Sequence, residues 1–179
     1  MTLAGNGERS TTYAIVAFLD LGSAPWVEKL RVKYDPLAQR VGAHMTLVHP
    51  FTTTLVWQAL EAHIQTVSRQ ARPIALELQG VTGHQGEYMF LNVKRGNDEV
   101  IALRDALYSG PLSPYQETSV TFVPHVTVGR LAGRIQFQEA LSSARDYTEP
   151  VTTALDTLSC YRIDDDGQRV ILNQYQLGG

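Results

Sequence analysis

The sequence holds one cysteine, Cys160, among 179 residues. A single thiol can form neither an intrachain disulfide nor a Cys-rich zinc site. It suits a reducing compartment, so a cytoplasmic location is expected. An excess of positive charge is also missing. Fifteen Lys and Arg face 18 Asp and Glu, for a net charge of −3. Proteins that coat long nucleic acid through its phosphates carry the opposite balance. That class is excluded, although a local basic pocket is not. There is no long hydrophobic run: 14–19 falls far short of the roughly 20 residues that span a bilayer. Residues 1–12 lack the apolar centre of a secretory leader and read as a flexible lead-in. What remains is the composition of a globular domain, 44% hydrophobic and 18% charged. A chain this long buries about two-thirds of its unfolded surface, so 13–179 should fold as one monomeric domain without staples.

The pattern along the chain alternates strands and helices. Tyr13–Leu19 is an uninterrupted β-type run and reads as a buried strand. Ser23 and Pro25 open a helix toward Arg40, which Pro36 breaks. The alternating stretch 43–51 reads as a strand stopped by Pro50. The threonines 52–54 cap a helix to Gln70, with Val56, Leu60, Ile64 and Val67 at helical spacing. Ile74–Val81 and Tyr88–Val93 form a hairpin around Gly83 and Gly86. A helix follows from Asn97 to Tyr108, then a loop through Ser119. Phe122–Val128 reads as a strand interrupted by Pro124 and closed by Gly129, and Phe137–Arg145 as a helix. Leu155–Arg162 and Arg169–Leu177 make a last hairpin around Asp164, Asp165, Asp166 and Gly167. Those three aspartates lack the spacing and closing Glu of a calcium loop.

Strand, helix, strand, helix and hairpin thus occur twice, with approximate repeats at 13–87 and 88–177. His44-Met45-Thr46-Leu47 and His125-Val126-Thr127-Val128 lie 81 positions apart, as do Phe90-Leu91-Asn92 and Ile171-Leu172-Asn173. The repetition implies two lobes with approximate two-fold symmetry and a cleft between them.

Alternation along a strand puts His44 with Thr46, and His125 with Thr127, on one face, while Met45, Leu47, Val126 and Val128 turn to the core. Two imidazoles and two hydroxyls can then meet across the cleft. That set suits phosphodiester chemistry. One neutral His accepts a proton from the attacking oxygen, and one protonated His gives a proton to the leaving oxygen. The hydroxyls donate to non-bridging phosphate oxygens as charge builds there. No metal or cofactor is needed. A zinc hydrolase is the rival chemistry, but it wants a third protein ligand, and only His49 is at hand on these strands.

HMTLVHPF and PHVTVGRL resemble the paired His-x-Thr motifs of the two-histidine (2H) phosphoesterase superfamily, above all its 2′-5′ RNA ligase-like and cyclic phosphodiesterase members. The resemblance extends from Tyr13 to Leu177. It implies an α+β fold that is bilobal and duplicated, with two antiparallel sheets lining a central cleft and helices outside. It also implies metal-independent hydrolysis of the 2′,3′-cyclic phosphate of a small nucleotide or RNA end to a 2′-phosphate, with possible 2′-5′ ligation. His44, Thr46, His125 and Thr127 fall on the motif positions, with His125 as base and His44 as acid. The alternative is a catalytically idle nucleotide- or RNA-end-binding module on the same fold, against which both intact motifs argue. Arg130 stands where relatives place an arginine near substrate phosphate. His49 holds the matching place in the first motif, where relatives often carry an aromatic. Phe51 is a further candidate substrate contact. His63 and His84 read as surface residues.

Overall fold

The structure is a computed structural model that describes residues 10–179. Residues 1–9 of the expected lead-in lie outside the described residues, and Thr11 and Thr12 already belong to the first strand. The elements of the first half are β1 (Thr11–Phe18), α1 (Pro25–Tyr34), β2 (His44–Thr53), α2 (Trp57–Gln70) and β3 (Ile74–His84). Those of the second are β4 (Tyr88–Arg95), α3 (Asn97–Leu107), β5 (His125–Arg130), α4 (Arg134–Ala144), β6 (Val151–Leu155), β7 (Thr157–Ile163) and β8 (Arg169–Gln176).

The fold is α+β, with two antiparallel four-stranded sheets ordered β2-β1-β7-β8 and β5-β4-β3-β6. β1 and β4 take the same interior place in their sheets, β2 and β5 the same edge, and β7 and β3 the same third position. β3 of the first half therefore lies in the sheet of β4 and β5, and β7 of the second half in the sheet of β1 and β2. The matched tripeptides 90–92 and 171–173 do not occupy equivalent places, because β4 is interior and β8 is an edge. The helices bind the halves together: α1 packs on β5 and α3 on β2. The main hydrophobic core runs through both sheets, from Ile15 and Leu47 to Leu78, Leu91 and Val126, all fully buried, and a small second cluster of Ala14, Val16 and Tyr161 lies apart from it.

Several boundaries differ from expectation for local reasons. Pro50 does not stop β2, which continues to Thr53. β2 is an edge strand, so a residue without an N–H costs the sheet nothing on its open side. β5 starts at His125, after Pro124, and Gly129 lies within it. The threonines do not cap α2. Thr53 instead accepts a hydrogen bond from the Leu55 N–H, and Val56 precedes the helix with its side chain exposed. α1 starts at Pro25 with no side-chain cap and ends before Pro36. β6 was not anticipated; its five residues hide next to β7, separated by Asp156 alone. Gly83 belongs to β3, close against the Phe137 ring, and the turn uses Gln85 and Gly86 at positive φ.

The segment between α1 and β2 is held by one buried cation. Arg31 is 1% exposed; it donates to Asp35, to Glu28 and to the Val41 carbonyl, the last at 2.7 Å. It thereby ties the end of α1 to the chain entering His44. Arg31→Ala would leave Asp35 buried without its partner. We expect it to cost about 3–5 kcal/mol, the range for breaking a buried pair, read as a fall in the urea unfolding midpoint at unchanged m-value. A loss below about 1 kcal/mol would mean that the pair is no more than a surface bridge.

Candidate active site

β2 and β5 are the edge strands where the sheets approach each other, and each carries its motif at its first residue. From His44 and from His125 the burial pattern is the same over six residues: half-buried, buried, half-buried, buried, buried, exposed. The two adjacent buried residues mark a β-bulge in each strand. Val16 pairs with Thr46 and Ile15 with Val48, so Leu47 is the extra residue of β2. Phe90 pairs with Thr127 and Met89 with Gly129, so Val128 is the extra residue of β5. An extra residue shifts the alternation by one place. It returns His49 to the face of His44 and Thr46, and Arg130 to the face of His125 and Thr127. Strict alternation would have pointed both toward the core.

The imidazoles are anchored alike. Nδ1 of His44 lies 2.8 Å from the Gly42 carbonyl, and Nδ1 of His125 lies 2.6 Å from the Val123 carbonyl. A carbonyl only accepts, so each Nδ1 carries the proton and each Nε2 keeps its lone pair for chemistry. Two residues missed in the sequence fix the rings from the side. Phe18, opposite His44 on β1, meets it edge-on at 6.0 Å between centroids. Phe90 stacks on His125 at 3.7 Å, and His84 stacks on the same Phe90 at 5.2 Å. Their signal was alternation in the neighbouring strands, legible only once the strand pairing is known. The Thr46 and Thr127 hydroxyls make no side-chain hydrogen bond among the described residues, which leaves them open to a ligand.

Burial dominates the electrostatics. It pushes both His44 and His125 below the ordinary imidazole value of 6.5, and each anchoring carbonyl pulls partly the other way. His49, His84 and His44 further lower His125, so the imidazoles sense one another. Arg31 and Arg169 lower His44, while Asp35 raises it. His49 is also lowered, by desolvation and then by Arg104. Arg104 is a buried cation between the Tyr108 and Phe122 rings, and the Tyr108 hydroxyl accepts a hydrogen bond from the His49 N–H.

The remaining candidates are placed differently. Arg130 is exposed, paired with Glu87 and laid over the Tyr88 ring. Phe51, the other expected substrate contact, is buried in the core between Tyr13 and Tyr115, and its ring is spent on aromatic packing. His84 is exposed, as expected. His63 is not a surface residue: it is half-buried, and its Nε2 donates to the Leu107 carbonyl at the end of α3. Among the described residues, no cluster of three or more His, Cys, Asp or Glu is arranged to hold a metal ion, and no helix is long and apolar enough to cross a membrane.

With this geometry in hand, the relatives can be set beside it. A model of the 2′-5′ RNA ligase superfamily matches residues 19–167. A Bacillus pumilus protein named "Putative phosphoesterase" is 26% identical over 136 residues, covering 74% of this chain and 78% of its own. A Bacillus licheniformis protein of like name is 23% identical over 168 residues, covering 93% and 98%. Among solved structures, E. coli LigT complexed with 3′-AMP has a TM-score of 0.63 at 15% identity, covering 96% of this chain and 100% of that one. LigT complexed with NADP+ gives 0.61 at 14% identity with the same coverage. At such identities the likeness to LigT is one of fold.

The lowered imidazoles have a consequence for stability. Below the ordinary value of 6.5 the unfolded chain binds protons that the folded His44, His49 and His125 resist. Stability should therefore fall as pH drops from about 6.5 toward the folded values, then level off. Urea midpoints measured across that window should show the fall, and His44→Gln with His125→Gln should flatten it. A flat wild-type profile would mean that the rings are solvated.

Proposed function

The chain belongs to the 2′-5′ RNA ligase superfamily, and we propose that it is a metal-independent phosphodiesterase that opens 2′,3′-cyclic phosphates of nucleotides or RNA ends to 2′-phosphates. The observation that carries this reading is the pair of identically anchored imidazoles, each with Nε2 free, at equivalent bulged positions of two apposed strands. Water attacks phosphorus, and its proton passes to Nε2 of His125. The bond from phosphorus to the 3′ oxygen breaks, and that oxygen takes the proton held on Nε2 of His44. Thr46 and Thr127 donate to the non-bridging oxygens, where charge develops in the transition state. One such donor is worth about 2.7–4 kcal/mol. His49 and Arg130 contact the substrate at the ends of the same face. A 5′-hydroxyl in place of water gives a 2′-5′ linkage by the same proton path.

The direction of the pKa shifts predicts an unusual pH profile. Activity needs one imidazole protonated and the other neutral. In the free protein both titrate below 6.5, so at neutral pH the resting pair is largely uncharged. The bell of kcat/KM, which reports the free enzyme, should peak below pH 6.5. A bound phosphodiester anion favours protonated His44, so the kcat bell should lie to the alkaline side of it. Both should survive EDTA. A kcat/KM maximum above pH 7, or loss of activity on chelation with recovery in zinc, would overturn the reading.

The division of labour is tested by leaving group. His44→Ala should regain much of its lost rate on a p-nitrophenyl phosphodiester, whose leaving oxygen needs no proton. His125→Ala should stay slow on both substrates, because water still lacks its base. The reverse pattern would exchange the two roles.

A further inference from the structure

The cleft face of the first sheet continues beyond His44 into a cavity of about 280 Å³. It shares two wall residues with the His44 site: Gly42, whose carbonyl anchors the ring, and Phe18, which lies edge-on against it. The other walls are different in kind. Arg40 comes from the turn after α1, Arg169 from the start of β8, and Tyr161 and Ile171 face each other across β7 and β8.

Neither Arg40 nor Arg169 is ion-paired among the described residues. Arg169 donates to the Gly167 carbonyl, and one terminal nitrogen of Arg40 lies beside the same glycine. Both guanidiniums thus meet at the β7–β8 turn. The acids of that turn are partly engaged: Asp164 pairs with Arg162, and Asp166 accepts from the Gln168 N–H. Two guanidiniums on one cavity without a counter-ion leave a place for an anion. Guanidinium is also the side chain best matched to phosphate, through paired donors in a plane. Phe18 and Ile171 supply apolar surface for the sugar or base that joins such a phosphate to the reacting one.

We propose that this cavity is a subsite for a second substrate phosphate, so that the preferred substrate is a 2′,3′-cyclic phosphate bearing a further phosphate group, held by Arg40 and Arg169. The proposal rests on the reading that the cyclic phosphate reacts between His44 and His125. The second phosphate has two sources with one chemistry: the internucleotide phosphodiester of an RNA end, or the 5′-phosphate of a mononucleotide.

The test compares kcat/KM for adenosine 2′,3′-cyclic phosphate, its 5′-phosphorylated form, and a dinucleotide ending in the same cyclic phosphate. Each protein is assayed at its own optimum pH, since Arg169 also acts on His44. We expect at least a tenfold preference for one of the two phosphate-bearing substrates, and which one identifies the source. In Arg40→Gln with Arg169→Gln that ratio should fall toward one, whereas Arg145→Gln, an exposed residue at the end of α4, should leave it unchanged. Calorimetry gives a readout without turnover. Adenosine 2′,5′-bisphosphate should bind tighter than 2′-AMP to the wild type, and no tighter to the double variant. Equal kcat/KM for all three substrates, or a preference that survives the double substitution, would overturn the subsite. If the wild type hydrolyses none of them, the catalytic reading fails instead, and the bisphosphate comparison still decides the subsite.

Discussion

One extra residue at the matching place in β2 and in β5 sets the geometry of the candidate site. Leu47 in β2 and Val128 in β5 break the alternation that a strand otherwise enforces. Because of them, two successive side chains turn to the core on each strand, Leu47 with Val48 and Val128 with Gly129, all buried. The polar series can then resume on the cleft face at His49 and Arg130. The core tolerates this only with a matched surface behind it. A Cβ at Gly129 would lie 3.1 Å from both the Met89 sulfur and the Tyr34 Cβ, so the bulge of β5 lets that strand press against α1. The same helix carries Arg31, which fixes the entry to His44. Each half of the molecule thus supports the motif of the other through the helix it lends across.

The second constraint is electrostatic. On the proposed reading a chain of net charge −3 has to receive an anion, and local cations rather than an overall field would serve it. Arg104 is buried behind His49, Arg31 and Arg169 act on His44, and Arg130 closes one end of the polar face. Arg31 and Arg169 also oppose protonation of His44, and Arg104 that of His49. Burial opposes protonation of both His44 and His125. An arriving phosphate anion reverses the sign of the local field, so proton uptake and substrate binding are coupled on the proposed mechanism.

Much of this was legible in the sequence, for a physical reason. Full burial of Met45, Leu47, Val126 and Val128 against half-burial of the histidines and threonines between them is a period-two signal, and the 81-residue offset repeats it. The strands and the helix faces of Leu60, Ile64 and Val67 came from such periodicity, whereas the α+β architecture with two antiparallel sheets came from the resemblance that the two motifs carry. What periodicity cannot carry is pairing. The hairpin put β3 beside β4, but periodicity could not show that β7 joins β1 while β8 is left at an edge, and so the match of 90–92 with 171–173 suggested an equivalence the sheets lack. It could not tell Phe51, drawn into the core by Tyr13 and Tyr115, from Phe90, which holds His125. Nor could it show that His63 serves the end of α3. In each case the deciding neighbour is in another element, and only the fold brings it near.

The two motifs are symmetric in backbone and asymmetric in surroundings, and the asymmetry bears on which imidazole does what. Both rings are anchored through Nδ1 to the carbonyl two residues before them. Around His125 stand three other imidazoles, His49, His84 and His44, which oppose a positive charge, while its anchoring carbonyl and the Phe90 face favour one. Around His44 stand Arg31 and Arg169, which oppose protonation, but also Asp35, which favours it. A phosphate bound beside His44 would offset the two arginines and leave the carboxylate acting in the same direction. No comparable carboxylate acts on His125. On the proposed mechanism, binding the substrate would therefore tip the single proton toward His44 and leave His125 as the neutral partner. The surroundings of the two rings, whose own anchoring is the same, thus support the proposed acid on the leaving-group side and base on the water side.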